Sequence, residues 1–178
     1  VSAAMLGCRF ITSYRAIVAQ AKVKPGQWVA VFGCGGVGMS AILIAKAMGA
    51  QVLAVDISDE KLKLSLELGA DKTLNVNNLN DISGEIKDLT NGGVHVTLDA
   101  LGRMQTCVPA IHSLRKRGKH IQVGIMSENP NNLHIPMNLI MSKELEIIGS
   151  HGMQAHEYPG MLDMIISKKL PLNKMLGK

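Results

Sequence analysis

Residues 33–38 read Gly33-Cys34-Gly35-Gly36-Val37-Gly38, and no other stretch restricts the fold of this chain as tightly. The spacing G-x-G-x-x-G carries a mechanism in one context: a strand before it, a helix after it, and an acid closing the next strand. Each part is present. Trp28 to Phe32 is an apolar run suited to a buried parallel strand. Met39 to Met48 is apolar at helical spacing, and Gly49 stops it. Gln51 to Val55 is a second apolar run, and it ends in Asp56, 18 residues past Gly38. Gly33 then permits the tight turn out of the strand. Gly35 lets the backbone approach a pyrophosphate that any Cβ would strike. Gly38 lets the helix pack closely on the strand. Gly36 and Val37 lie between them, where the helix's unpaired N–H groups and partial positive charge face the phosphates.

The rest of the chain repeats the alternation. Leu6 to Ala21 reads as a helix, with Phe10, Tyr14, Ile17, Val18 and Ala21 on one face. Ser58 caps a helix that runs to Gly69. Lys72 to Val76, Val94 to Leu98, His120 to Val123 and Leu145 to Ile148 read as strands. Ile82 to Leu89, Gln105 to Leu114 and Met161 to Ile166 read as helices. Ser127 to Asn132 reads as a polar loop around Pro130. The expectation is an α/β fold: a Rossmann doubly wound parallel sheet with helices on both faces. No linker or repeat interrupts it, so residues 1–178 are expected to form a single domain.

Composition narrows the function classes. The net charge is +5, and the densest basic run is Arg115-Lys116-Arg117-Gly118-Lys119. Aromatic residues are only 3% of the chain, too few for a base-stacking platform, so the run reads as a solvated turn between a helix and a strand, not as a nucleic-acid site. Cys8, Cys34 and Cys107 are odd in number and far apart, which points to a reducing compartment and a cytoplasmic protein. No apolar run is long enough to cross a membrane, and no signal peptide is visible. The chain starts at Val1 and ends at Lys178 without an evident terminal element, and both ends read as cut from a longer polypeptide.

Asp56 is expected to accept hydrogen bonds from the hydroxyls of an adenosine ribose. A 2′-phosphate there would set two negative charges together, and Ile57, Ser58 and Asp59 supply no arginine. The expectation is NAD over NADP, because charged hydrogen bonds of this kind are worth about 1.5–3 kcal/mol each. The plainer reading of Asp56 is a turn or cap residue beside Ser58. Spacing alone makes Cys8 a buried cysteine at a helix start. The six histidines read as surface or satisfied side chains, and the methionines as core filler.

Several segments together resemble the coenzyme-binding half of zinc-dependent medium-chain alcohol dehydrogenases. They are Gly7-Cys8-Arg9-Phe10-Ile11-Thr12-Ser13-Tyr14, the run from Val29 to Gly38, Val55-Asp56-Ile57, Leu68-Gly69-Ala70-Asp71, Asp99-Ala100-Leu101-Gly102 and Gln122-Val123-Gly124. The resemblance implies that Cys8 is one catalytic-zinc ligand. It implies that Thr12, Val37, Val123, Gly124 and Ile125 surround the nicotinamide. Asp56 and Lys61 would flank the adenosine ribose, Ile57 the adenine, and Leu101 would pack near the cofactor. It also implies hydride transfer between an alcohol and an aldehyde or ketone. The family's other zinc ligands, structural-zinc cysteines and proton relay are absent here, and catalytic zinc needs three protein ligands. The chain alone is therefore expected to bind cofactor without turnover, to hold no catalytic residue, and to have the missing catalytic domain as its partner. The strand Leu145 to Ile148 is expected at a sheet edge, where the resemblance implies a homodimer or a dimer of dimers. Two other functions fit a cofactor domain: a zinc-free quinone oxidoreductase, against which Asp56 and Cys8 both argue, and a non-enzymatic NAD-sensing module.

Overall fold

The computed structural model describes residues 6–126, 134–167 and 170–172; the expected loop at 127–132 lies outside them. Six strands pair in one all-parallel sheet. They are β1 (Trp28–Phe32), β2 (Gln51–Asp56), β3 (Lys72–Asn75), β4 (Val94–Asp99), β5 (Leu114–Gln122) and β6 (Glu146–Gly149). Their spatial order is β3-β2-β1-β4-β5-β6. The helices are α1 (Cys8–Tyr14), α2 (Gly36–Ala47), α3 (Asp59–Glu67), α4 (Ile82–Leu89), α5 (Met104–His112), α6 (Met137–Ser142) and α7 (Tyr158–Ser167).

Alternation along the central strand builds the two cores. Val29 and Val31 of β1 pack with Ile17, with Ile42 and Ile44 of α2, and with Met161 of α7. Ala30 and Phe32 point to the opposite face, into a second core with Ile86 of α4 and Ile111 of α5. A strand covered on both faces has no polar side to show, so its sequence is continuously apolar. The Rossmann expectation is therefore observed.

Two local expectations differ. The first helix does not run evenly to Ala21; after Tyr14 the chain widens into π-helical turns over Arg15–Gln20. The basic run is not a free turn between helix and strand. Helix α5 ends at His112, and β5 already begins at Leu114, which pairs with Val94. The next pair is Lys119 with Val96, so Arg115 to Gly118 bulge out of an interior strand. Leu114 is fully buried, and that burial draws it out of the helical pattern and into the sheet.

Helix α2 lies so close to β1 that a Cβ on Gly38 would collide with the carbonyl oxygen of Gly33 and reach to 3.3 Å from Val31 Cγ1. Backbone cannot yield as a side chain does. Gly38→Ala is expected to lower the unfolding free energy by about 3 kcal/mol, the upper end of ordinary overpacking costs. Urea unfolding followed by circular dichroism measures this.

Candidate cofactor site

The chain leaves β1 toward β2 and β3 on one side and returns through β4 to β5 and β6 on the other. The reversal opens a crevice at the carboxyl ends of β1 and β4, where ligands bind in open α/β sheets. The glycine loop forms its floor. Gly33 turns with φ +91°, and its N–H donates to the Val55 carbonyl at 2.8 Å. A Cβ on Gly33 would lie 2.6 Å from Leu101 Cγ, so Leu101 covers the turn. Gly35 is the N-cap of α2 and offers no capping side chain. A Cβ there would meet nothing within 4 Å. Gly35 is exposed and Gly36 and Val37 are half-buried, so the first turn of α2, whose N–H groups have no helical partner, lies at the surface of the loop.

Asp56 ends β2 and is 7% exposed. Its Oδ2 accepts from the Cys34 N–H at 2.7 Å, and its Oδ1 from the N–H groups of Ile57 at 2.8 Å and Ser58 at 3.0 Å. The capping reading and the ligand reading are compatible, because Oδ2 keeps a lone pair. A cavity of about 360 Å³ opens beside it, lined among others by Gly33, Asp56, Ile57, Lys61 and Leu101. Arg103, Thr106, Val76 and Ile82 also line it. None of these four stood out in the sequence. Only the path of the β4–α5 loop brings Arg103 and Thr106 over to β2.

The other candidates gather around α1 and the end of β5. Thr12 is buried in α1, and the neighbouring Ser13 hydroxyl donates to the Val37 carbonyl at 2.7 Å, tying α1 to the first turn of α2. Gly124 packs on the backbone of Gly102. Val123 is half-buried beside it, and Ile125 is exposed. Cys8 is exposed at the first residue of α1, which corrects the spacing-based expectation of a buried thiol; a first-turn residue faces out when its helix packs through Phe10 and Ser13. Among the described residues no three His, Cys, Asp or Glu side chains converge as a metal site. Arg9 escaped the sequence reading. Its side chain crosses Gly36, with Nη1 2.8 Å from where a Cβ would stand.

The family model described as zinc-binding dehydrogenase matches residues 36–167. The chain belongs to that family. The chain is 38% identical over 148 residues to an alcohol dehydrogenase of Geobacillus stearothermophilus, a match covering 83% of the chain and 42% of the relative. It superposes on an alcohol dehydrogenase of the hyperthermophilic archaeon Aeropyrum pernix with a TM-score of 0.84 and 33% identity, covering 96% of this chain and 48% of that one. A solved NAD-dependent alcohol dehydrogenase gives a TM-score of 0.81 and 29% identity, covering 93% and 48%. The chain thus spans about half the length of the relatives it matches.

A buried polar network braces the crevice. Asp99 accepts from the N–H groups of Leu101 (2.8 Å) and Gly102 (3.1 Å), from the Thr106 hydroxyl (3.1 Å) and from Gln122 Nε2 (3.3 Å). Gln122 Oε1 faces His120 Nε2 at 2.9 Å, and Thr97 Oγ1 lies 2.9 Å from His120 Nδ1. Gln122 uses its amide nitrogen on Asp99 and on the Gly124 carbonyl, so His120 donates from Nε2, and in the neutral ring Nδ1 accepts from the Thr97 hydroxyl. Burial lowers its pKa in agreement. Cys34 and Cys107 are buried, and burial pushes both thiols up to about 11, so neither is a ready nucleophile.

His120 sets a pH dependence. An unfolded histidine takes a proton below about pH 6.5. Folded His120 resists that proton, so the unfolded state binds more protons and stability falls on acidification. The loss approaches about 1.4 kcal/mol per pH unit below that point. His95 and His112 shift the same way. Urea unfolding between pH 7 and 5.5 should show this slope, and His120→Gln should make it shallower.

Proposed function

We propose that residues 1–178 are the NAD-binding domain of a larger cytoplasmic zinc-dependent alcohol dehydrogenase. The observation that carries this reading is the uncapped start of α2, clear on its Gly35 side and set beside a cavity that ends at Asp56. The backbone of Gly35, Gly36 and Val37 would hold the pyrophosphate, with the Arg9 guanidinium as its counter-charge. Asp56 and Lys61 would hold the adenosine ribose, and Ile57 and Leu101 would flank the adenine. Thr12, Val37, Val123, Gly124 and Ile125 would hold the nicotinamide. NAD when bound supplies the hydride acceptor, and the protein binds and orients it.

Cys8 offers one thiol toward zinc. Three protein ligands are needed, so the other ligands would come from the rest of the polypeptide, together with the contacts to an alcohol or aldehyde substrate. The chain alone is expected to bind NAD without turnover. The edge position of β6, where Ile147 is 42% exposed, supports pairing with a second copy across a two-fold axis.

Calorimetry of this chain with NAD and NADP tests the cofactor. The Asp56 carboxylate disfavours a 2′-phosphate, while Arg103 and Lys61 at the same cavity would favour it. NAD is expected to bind at least about tenfold tighter, the worth of one charged hydrogen bond, and Asp56→Asn should bring the ratio toward one. Binding of neither cofactor would overturn the proposal. Gly35→Ala separates binding from folding. Its φ of −83° suits alanine and its Cβ meets nothing, so stability should hold within about 0.5 kcal/mol while NAD affinity drops tenfold or more.

A further inference from the structure

The amino-terminal end of the sheet, opposite the glycine loop, holds a second pocket of about 260 Å³. Lys22, Lys24, Arg115, Lys116, Arg117 and Lys119 line it with His95, and no acid does. Glu144 pairs with Arg117 at 2.7 Å and stands 3.9 Å from Lys116, and Glu146 pairs with Lys119 at 3.3 Å. The ammonium groups of Lys22 and Lys24 have no partner among the described residues. Lys22 (φ +53°) and Arg117 (φ +61°) both hold the left-handed backbone that side chains avoid. Such strain collects where a site needs a particular presentation.

The decisive feature is a pair of donors facing each other. The Trp28 N–H donates to His95 Nδ1 at 2.9 Å, and a backbone N–H can do nothing else. The Nδ1 lone pair is thus taken, and the ring proton sits on Nε2. Burial and Arg115 both lower the His95 pKa, which keeps that neutral tautomer. Yet Nε2 lies 3.2 Å from Arg115 Nη1, which is also a donor. The guanidinium cannot turn away, because its Nε and Nη2 are tied to the Gly93 carbonyl at 3.0 and 2.6 Å. Two N–H groups therefore meet at 3.2 Å on the pocket wall, and neither can accept from the other. An oxygen carrying negative charge, seated against both, resolves the conflict and meets the unpaired lysines.

We propose that this pocket is an oxyanion site taking a phosphoryl group, with one oxygen shared by His95 Nε2–H and Arg115 Nη1–H. It is separate from the cofactor crevice and does not rest on the dinucleotide reading. The Arg115–Lys119 run builds it, its first four residues forming the bulge and Lys119 already back in the sheet.

The test is ¹H–¹⁵N correlation NMR of the labelled chain, titrated with inorganic phosphate and, separately, with glycerol 3-phosphate. Both titrations are repeated in the presence of excess NAD. Saturable shifts at the amides of Lys22, His95 and Gly118, unchanged by NAD, are expected. The amides of Gly35 to Val37 report the cofactor reading independently. Tighter binding of the phosphomonoester assigns the site to an organic phosphate, and equal binding to free phosphate. Arg115→Gln should abolish the shifts. Lys22→Gln with Lys24→Gln, both exposed, leaves the fold alone and should weaken binding about fivefold, the worth of two exposed ion pairs. Shifts confined to Gly35–Val37, no saturation by roughly tens of millimolar phosphate, or no effect of the double lysine change would overturn the proposal.

Discussion

The contact between Gly38 of α2 and the Gly33 carbonyl sets the rest of the site. Two backbones meet there with no side chain between them. That contact fixes where α2 begins relative to the end of β1. Gly35 and Gly36 at its start are then left exposed and half-buried at the crevice. It also leaves room for Leu101 to fold over Gly33 and form one wall of the adjacent cavity. Moving α2 outward by one methyl group would disturb all of these at once.

Two carboxylates, Asp56 and Asp99, hold the crevice from either side of β1. They do different work. Asp56 accepts three backbone N–H groups at the end of β2, yet it still lines a cavity. Asp99 is fully buried and ties β4 to its following loop, to α5 and, through Gln122, to β5. A buried charge of this kind is tolerable because donors surround it, and removing any one donor leaves it underpaired. The first carboxylate can meet a ligand, and the second keeps the walls in place for one.

The fold was legible because its signals are local. An apolar run, a glycine cluster and a second apolar run ending in Asp56 define strand, turn, helix and strand without reference to distant residues. The six strands followed from the same alternation, and the late strand expected at an edge is the edge strand β6. What stayed hidden depends on tertiary placement. Arg103 reaches the cavity because of the loop path after β4, and Arg9 reaches Gly36 because α1 packs against α2. The basic run looked like a turn because four of its residues do leave the sheet, but Leu114 before them and Lys119 within them are paired to β4. Periodicity cannot show a bulge inside a strand. Nor could spacing decide whether Cys8 pointed inward, since a first-turn residue has no periodic partner before it.

The two ends of the cofactor crevice are unequally finished, and this matters for a chain half the length of its relatives. Around Asp56 the walls come from β2, α3, the loop before α4 and the β4–α5 loop, all within this chain. Around α1 the counterpart residues are open: Cys8 and Arg9 are exposed, and so is Ile125. On the proposed reading the adenosine half of the cofactor meets a complete site, while the nicotinamide half meets one wall. Binding energy would then come mainly from the adenosine and pyrophosphate contacts. Orientation of the reactive ring would await whatever covers α1. On that reading one half of the protein would choose the cofactor and the other the substrate, because Asp56 lines the walled cavity while Cys8 stands at the exposed start of α1.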